Sequence, residues 1–348
     1  MTIADLTGDA VLYRDLQPYD ADLPGLAQLR EPLGLPPGLL PRKRDAAYAR
    51  VMGALLAHMR ERAAAPPLRM LLVVGDTAND RMLAQHLRAS SGLPVYAFIG
   101  ADALGKPPGL TYEGDTATAT RWSLLDEWLG QLEAAGAQPW PQAALLLDID
   151  KTLLGPRGRN DEAIDDARAA AALDAARSLP GFALDEAAFE QYYATLCDSE
   201  YHGLTLDNQD YTVFAALLLT GGVLSLDELR AQRADGTPRS FGLLLDVVGG
   251  RLPPALTDTY AAVRAAHEAG DPSPFKAFRR AEFAATVARM GDGRLTLCRE
   301  VVAAARTLRE RGVLCLAASD KPAESALPAP EQEAAGMAPL HRTPAQIA

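Results

Sequence analysis

The stretch Leu145–Thr152 reads LLLDIDKT: an apolar run that stops on two acids, Asp148 and Asp150, one residue apart. The run reads as a buried strand. Alternate residues of an extended chain share a side, so the two carboxylates project together, about 6–7 Å apart at Cα. In an open parallel sheet, ligands bind beyond the carboxyl ends of the strands. Two acids placed there cannot both stay ionised and unpaired without cost, which a bound divalent cation would remove. A carboxylate can also attack phosphorus while a neighbouring acid protonates the leaving oxygen. Taken alone, a D-x-D is as compatible with a blander role, Asp148 closing the strand and Asp150 opening a turn.

Working outward from this strand, the N-terminal side alternates helix and strand. Residues 1–40 are rich in Pro, Gly and Leu and show no clear period, so an irregular lead-in is expected. Tyr48, Val51, Met52, Leu55, Leu56 and Met59 then recur at helical spacing over about five turns. PPLRMLLVVGD ends that helix and gives a strand from Met70 to Val74, stopping at Gly75 and Asp76. ANDRMLAQHLRASSG reads as a helix with a Gly stop, and PVYAFIG as a strand. Trp122, Leu125, Trp128, Leu129 and Leu132 mark a helix before the Ala144–Leu147 strand. After Thr152 the alternation ceases, and residues 156–290 show helical patterns without a convincing strand. RLTLCREVVAAARTLRERG and VLCLAASDKP then restore a helix and a strand. The expected fold class is α/β, with a Rossmann-like, doubly wound parallel sheet and an inserted all-helical domain. The expected boundaries are 1–155 and 291–348 for the sheet domain and 156–290 for the insertion.

Bulk properties narrow the function classes. The 348 residues carry a net charge of −11 and a pI near 5.0, which disfavours a long nucleic-acid face but leaves room for a local phosphate pocket. Three widely spaced cysteines, Cys197, Cys298 and Cys315, form no CxxC pair and read as reduced, mostly buried thiols. No leader pattern and no apolar run of membrane-spanning length is evident, so a cytoplasmic protein without membrane contact is expected. Oligomeric state leaves no mark in the sequence.

Three further stretches bear on the two acids. VVGDTANDRMLA places Asp76 at the end of a second apolar strand, with Asn79 and Asp80 at the start of the next helix. Acids favour helix N-termini for their own sake. Two acid-tipped strands in one sheet are harder to dismiss, and their oxygens could converge on one Mg²⁺. CLAASDKP brings the Ser319 hydroxyl and the following N–H groups to a third strand end, suited to a phosphoryl oxygen or to a plain turn before proline. PRKRDAAYA puts Lys43 at the beginning of the helix before the Asp76 strand, as a phosphate ligand or part of a solvated basic face.

Together these stretches resemble the haloacid dehalogenase (HAD) superfamily of phosphohydrolases. That family combines a DxDx[TV] strand, a strand ending in Ser or Thr, a helix-borne Lys, and a strand ending in GDxxxD or GDxxND. Here they read DIDKT, AASDK, RKRDAAYA and GDTAND. The chain order differs from the family's: Lys43, Asp76–Asp80, Asp148–Asp150, insertion, Ser319. It is the same cycle opened between Ser319 and Lys43, a circular permutation, with Arg42 or Lys321 as substitutes should Lys43 not fill its role.

The resemblance implies a Mg²⁺-dependent phosphatase of a small phosphorylated metabolite, possible substrates including sugar phosphates. Asp148 would be the nucleophile, Asp150 the general acid and then base, and Ser319 and Lys43 the phosphoryl ligands. Asp148, Asp150 through its backbone carbonyl, and Asp76 would hold Mg²⁺, supported by Asn79 or Asp80. The insertion would be a substrate-selecting cap. Its polar clusters offer Arg157 and Arg159 at the entry, His202, Asn208 and Gln209 within YHGLTLDNQDY, and Lys276, Arg279 and Arg280 within GDPSPFKAFRRAEF. Each cluster is equally readable as helix caps or solvated helix faces. Two alternatives remain: a phosphotransferase or phosphomutase on the same site, and a non-catalytic binding protein of the same fold.

Overall fold

The computed structural model describes residues 1–137, 139–206, 208–234 and 240–348. It is an α/β protein built on a mostly parallel seven-stranded sheet. The strands are β1 (Val11–Leu12), β2 (Met70–Gly75), β3 (Val95–Gly100), β4 (Leu110–Glu113), β5 (Thr116–Ala119), β6 (Ala143–Asp148) and β7 (Leu314–Ala318). Their spatial order is β1-β7-β6-β2-β3-β5-β4, and only the β4–β5 pair is antiparallel.

Strands β2 and β6 are buried along their whole length, which is why they read as unbroken apolar runs in the sequence. Helix α1 (Ala46–Arg62) and helix α2 (Ala78–Ser91) share one core with Leu71, Val73, Ala144, Leu146, Leu316 and Ala318 of the sheet. The buried stripe of α1 is the one its spacing predicts: Tyr48, Val51, Met52, Leu55, Leu56 and Met59. Helix α2 stops at Gly92, a left-handed position whose N–H donates to the Arg88 carbonyl at 3.0 Å. Helix α3 (Leu124–Ala134) packs on β3 and β5, and helix α4 (Arg299–Glu310) on β7 and α3.

The chain divides into two compact units. Unit 1 is Met1–Ile164, Val287–Leu327 and Gly336–Ala348, and it holds the sheet. Within it Leu297 bridges to Leu154 and to Ile347, and the Ala345 N–H donates to the Met1 carbonyl at 2.8 Å. Unit 2 is Asp165–Thr286 and Pro328–Ala335, and it contains no strand among the described residues. Its centre is the helix Gln209–Thr220, buried from Asp210 to Leu219 because its sequence is apolar nearly all round. Tyr211 and Phe214 of that helix meet Phe241, and Phe275 packs edge-on against Phe214.

Several expectations need revision. The lead-in is not wholly irregular, since Val11–Leu12 joins the sheet beside β7. The Leu110–Ala119 hairpin was unexpected, and it adds an antiparallel edge to the sheet. Lys43 lies in the turn before α1 rather than on the helix. Cys197 is exposed, while Cys298 and Cys315 are buried. Among the described residues no helix is long and apolar enough to cross a membrane.

Candidate active site

Register decides which side chains meet at the carboxyl edge of the sheet. Val74 pairs with Leu147, and Asp148 with Ala318, so Asp76, Ile149 and Ser319 lie level across β2, β6 and β7. Asp148 and Asp150 flank that level on the central strand of the three. After Asp150 the backbone turns sharply: Lys151 takes a left-handed φ of 62°, and the Leu154 N–H returns to the Ile149 carbonyl at 2.8 Å.

Asp80 comes to the same place for a local reason. It is the third residue of α2, and its Oδ2 accepts from the Thr77 N–H at 3.2 Å and the Thr77 hydroxyl at 2.9 Å. The Asp76 N–H reaches the same oxygen at 3.3 Å. Its carboxyl group covers Gly75 so closely that a Cβ there would stand 2.3 Å from Asp80 Cγ. The other oxygen, Oδ1, accepts from Lys43 Nζ at 3.0 Å, and the same ammonium donates to Asp148 Oδ1. Lys43 is only 4 % exposed. Asp76 instead receives the Arg157 guanidinium, whose Nε lies 2.5 Å from Oδ2.

A second pairing holds Asp150. Ser319 Oγ donates to Asp150 Oδ2 at 2.9 Å and accepts from the Lys321 N–H at 2.9 Å, while Lys321 Nζ lies 3.6 Å from Asp150 Oδ1. Arg42, named as a substitute for Lys43, pairs with Asp320 at 3.3 Å.

The electrostatics follow from burial. Asp76, Asp80 and Asp148 each present an oxygen within 4.8 Å of the others, a spacing that suits a metal ion. Against these three acids stand the two cations Lys43 and Arg157, so one negative charge is in excess when all three are ionised. Burial pushes the Asp148 carboxyl well above the carboxylate range; the Lys43 ammonium pulls it down, and Asp80 and Asp76 push it up again. Burial likewise drives Asp76 up, to about 6, despite Arg157. Asp80 stays low because Lys43 and the Thr77 donors outweigh its burial. Burial by itself would lower Lys43, but Asp148 and Asp80 hold it well above the ordinary lysine value.

Within the three-acid group one buried oxygen lacks a hydrogen-bond partner. Asp148 Oδ2 is buried and has no hydrogen-bond partner, as are Tyr48 Oη, Thr152 Oγ1 and Asp150 Oδ1. Hard carboxylate oxygens that converge with one of them unpartnered are a donor set that could hold a divalent cation. Asn79 is exposed on the first turn of α2, and the Asp150 carboxylate faces Ser319 and Lys321, so neither joins that three-acid group.

Of the remaining candidates, Arg157 meets the acids through Asp76. Arg157 and Arg159 belong to unit 1; Arg159 is held by Asp102 at 2.7 Å and Glu300 at 2.9 Å. His202 is exposed at the start of a short helix. Asn208 caps the helix Gln209–Thr220 and donates to the Pro272 carbonyl at 2.9 Å. Asp207, beside it, lies outside the described residues. Lys276 pairs with Asp271 at 2.8 Å. Arg279 is interior to unit 2, its donors taken by Asp210, Glu282 and Asn208. That makes it a packing element in this geometry, not the exposed anion ligand its sequence cluster suggests.

Sequence reasoning missed the Asp76–Arg157 pair and gave Lys321 only a substitute's part. Lys321 had a signal: in SDK it stands two residues after Ser319, the spacing that returns an extended chain to the same side. Compared with protein-family models, curated proteins and solved structures, the chain matches none.

Proposed function

We propose that this protein is a divalent-cation-dependent phosphatase of small phosphorylated metabolites, of the haloacid dehalogenase type, in which Asp148 is the nucleophile. The observation that carries the reading is the convergence of Asp76, Asp148, Asp150 and Ser319 at the carboxyl ends of three adjacent parallel strands, with Lys43 bridging Asp80 and Asp148. In this reading the sheet is the family's core in circularly permuted order. The helical insertion between β6 and α4 corresponds to the cap.

Each residue then has a chemical part. Lys43 fixes Asp148 through Oδ1, which leaves Oδ2 to attack phosphorus. The ester P–O bond breaks as the Asp148–phosphorus bond forms, and Asp150 gives the leaving oxygen its proton. Water then attacks the aspartyl-phosphate, Asp150 takes back a proton, and inorganic phosphate leaves with the Asp148 carboxylate restored. Ser319 holds Asp150 through its one O–H before substrate binds, and would turn it, beside Lys43, to the phosphoryl oxygens when substrate is bound. A divalent cation, Mg²⁺ by preference, would be held by Asp148 and Asp76 with Asp80 in support, and would offset the phosphoryl charge when bound.

The test is a broad screen of phosphorylated metabolites with and without Mg²⁺, run beside Asp148→Asn. Cation-dependent phosphate release from some substrates and its loss in the variant are expected. Full activity in Asp148→Asn would remove the nucleophile assignment.

A further inference from the structure

Arg157 occupies a position that the proposed function does not use. It follows β6 by nine residues, yet its guanidinium reaches back to Asp76 on β2, with both Nε and Nη2 at 2.5 Å from Oδ2. The carboxylate it covers is one of the three that would share a cation. Its backbone is tied on both sides: the N–H donates to the Lys151 carbonyl at 2.8 Å, and its carbonyl accepts from the Asp102 N–H at 2.9 Å and Trp122 Nε1 at 3.2 Å.

Charge balance decides what a cation does to this arrangement. With all three carboxyls ionised, as metal ligation requires, Lys43 and Arg157 leave one negative charge. Adding a divalent cation while both side chains stay would leave one positive charge in a largely buried site, which a low-dielectric surrounding disfavours. If one side chain withdraws, the site is neutral. Lys43 cannot be the one: its side chain is 5 % exposed and wedged between two acids. Arg157 can, since its side chain is 38 % exposed and can turn into water while the backbone stays in place.

We propose that Arg157 is an internal counter-ion that holds the cation's place on Asp76 and gives it up when the metal binds. The inference rests on the cation-dependent reading above. It makes metal affinity a competition between a guanidinium and a divalent cation for one carboxylate, so the chain itself sets the cation concentration at which the site fills. The displaced guanidinium, anchored at the same backbone point, is then free to meet an anionic substrate.

The test needs no turnover. Mg²⁺ and Mn²⁺ are titrated into the whole protein and into Arg157→Gln by calorimetry, while the Arg157 Nε–H resonance of the unsubstituted protein is followed. The expected result is binding about tenfold tighter in Arg157→Gln, the worth of one charge-assisted hydrogen bond, with an Nε–H signal that moves as metal is added. Arg157→Lys, which keeps a charge but not the fork, falls between the two and serves if the Gln variant does not fold. Equal or weaker affinity in the variants overturns the inference but leaves the cation site standing. Tighter binding with an unmoved Nε–H signal also overturns it, because Arg157 would then only repel the ion from a retained contact. If neither metal binds either protein, the cation-dependent reading falls, and the inference with it.

Discussion

Lys43 Nζ is shared by two carboxylates, Asp80 in the first turn of α2 at 3.0 Å and Asp148 at the end of β6. The ammonium thus ties the turn before α1 to α2 and β6 at once. Removing it leaves two buried acids without their cation, and breaking a buried pair costs about 3–5 kcal/mol. Lys43→Met is expected to lose that much in urea denaturation and to lose phosphatase activity. The double variant Lys43→Met/Asp148→Asn should lose less than the two single losses added together. Additive losses would mean that the pair does not interact in solution.

The seat of Asp80 depends on Gly75 having no side chain. Gly75→Ala would press a Cβ against Asp80 Cγ, so the cap of α2 and the Lys43 contact must shift together. A loss of about 1–3 kcal/mol is expected, as for an overpacked core, together with reduced activity. Gly53→Ala is the control: nothing lies within 4 Å of the Cβ position in the middle of α1. It should stabilise by about 0.5–1 kcal/mol. Thermal unfolding of both variants checks the contrast.

Asp150 is held by Ser319 and Lys321 rather than by the three-acid group. A group that protonates the leaving oxygen matters most where that oxygen leaves poorly. Asp150→Asn is therefore expected to slow alkyl phosphates by about 10²–10⁴-fold and p-nitrophenyl phosphate much less. Equal losses on both substrates would assign Asp150 to phosphoryl binding instead.

His341 gives a pH dependence away from the site. Its ring is buried, Nδ1 shares a hydrogen bond with the Tyr13 hydroxyl at 3.2 Å, and Nε2 has no hydrogen-bond partner. Burial pushes its pKa down from 6.5 to about 4, with Asp9 only partly opposing. The unfolded chain therefore takes up the proton first. The stability that His341 contributes is complete above pH 6.5, falls as pH drops toward 4, and is flat below. The stability difference between the unsubstituted protein and His341→Asn should change by about 3 kcal/mol across that window. A difference that does not vary with pH would place the ring in a solvated setting.

The sheet's centre was legible in the sequence because parallel strands buried on both faces must be apolar throughout. Met70–Gly75, Ala143–Asp148 and Leu314–Ala318 announce themselves for that reason, and so do the acids and the serine that end them. Val11–Leu12 could not be read, since two residues carry no period. The Leu110–Ala119 hairpin does carry a signal: Gly114 takes a left-handed φ of 59° between two short stretches that contain Thr and Tyr, a glycine turn between strand-forming residues. The side-chain pairings were a different matter. Nothing local says that Arg157 reaches Asp76 or that Arg279 is buried against Asp210, because both pairings are set by packing between distant segments. Arg279 stood in a basic cluster that looked like a solvated face or a substrate grip, and the acid that buries it lies 69 residues away.

The central claim is that Asp148 carries the phosphoryl group. The direct measurement is an acid quench during turnover of a phosphomonoester in the presence of Mg²⁺, borohydride reduction of the acyl-phosphate, and peptide mass spectrometry. The account predicts that Asp148 is the residue converted to homoserine, and that the conversion disappears when substrate or cation is left out. Phosphate release at full rate with Asp148 unmodified, or with the label on another residue, would contradict it.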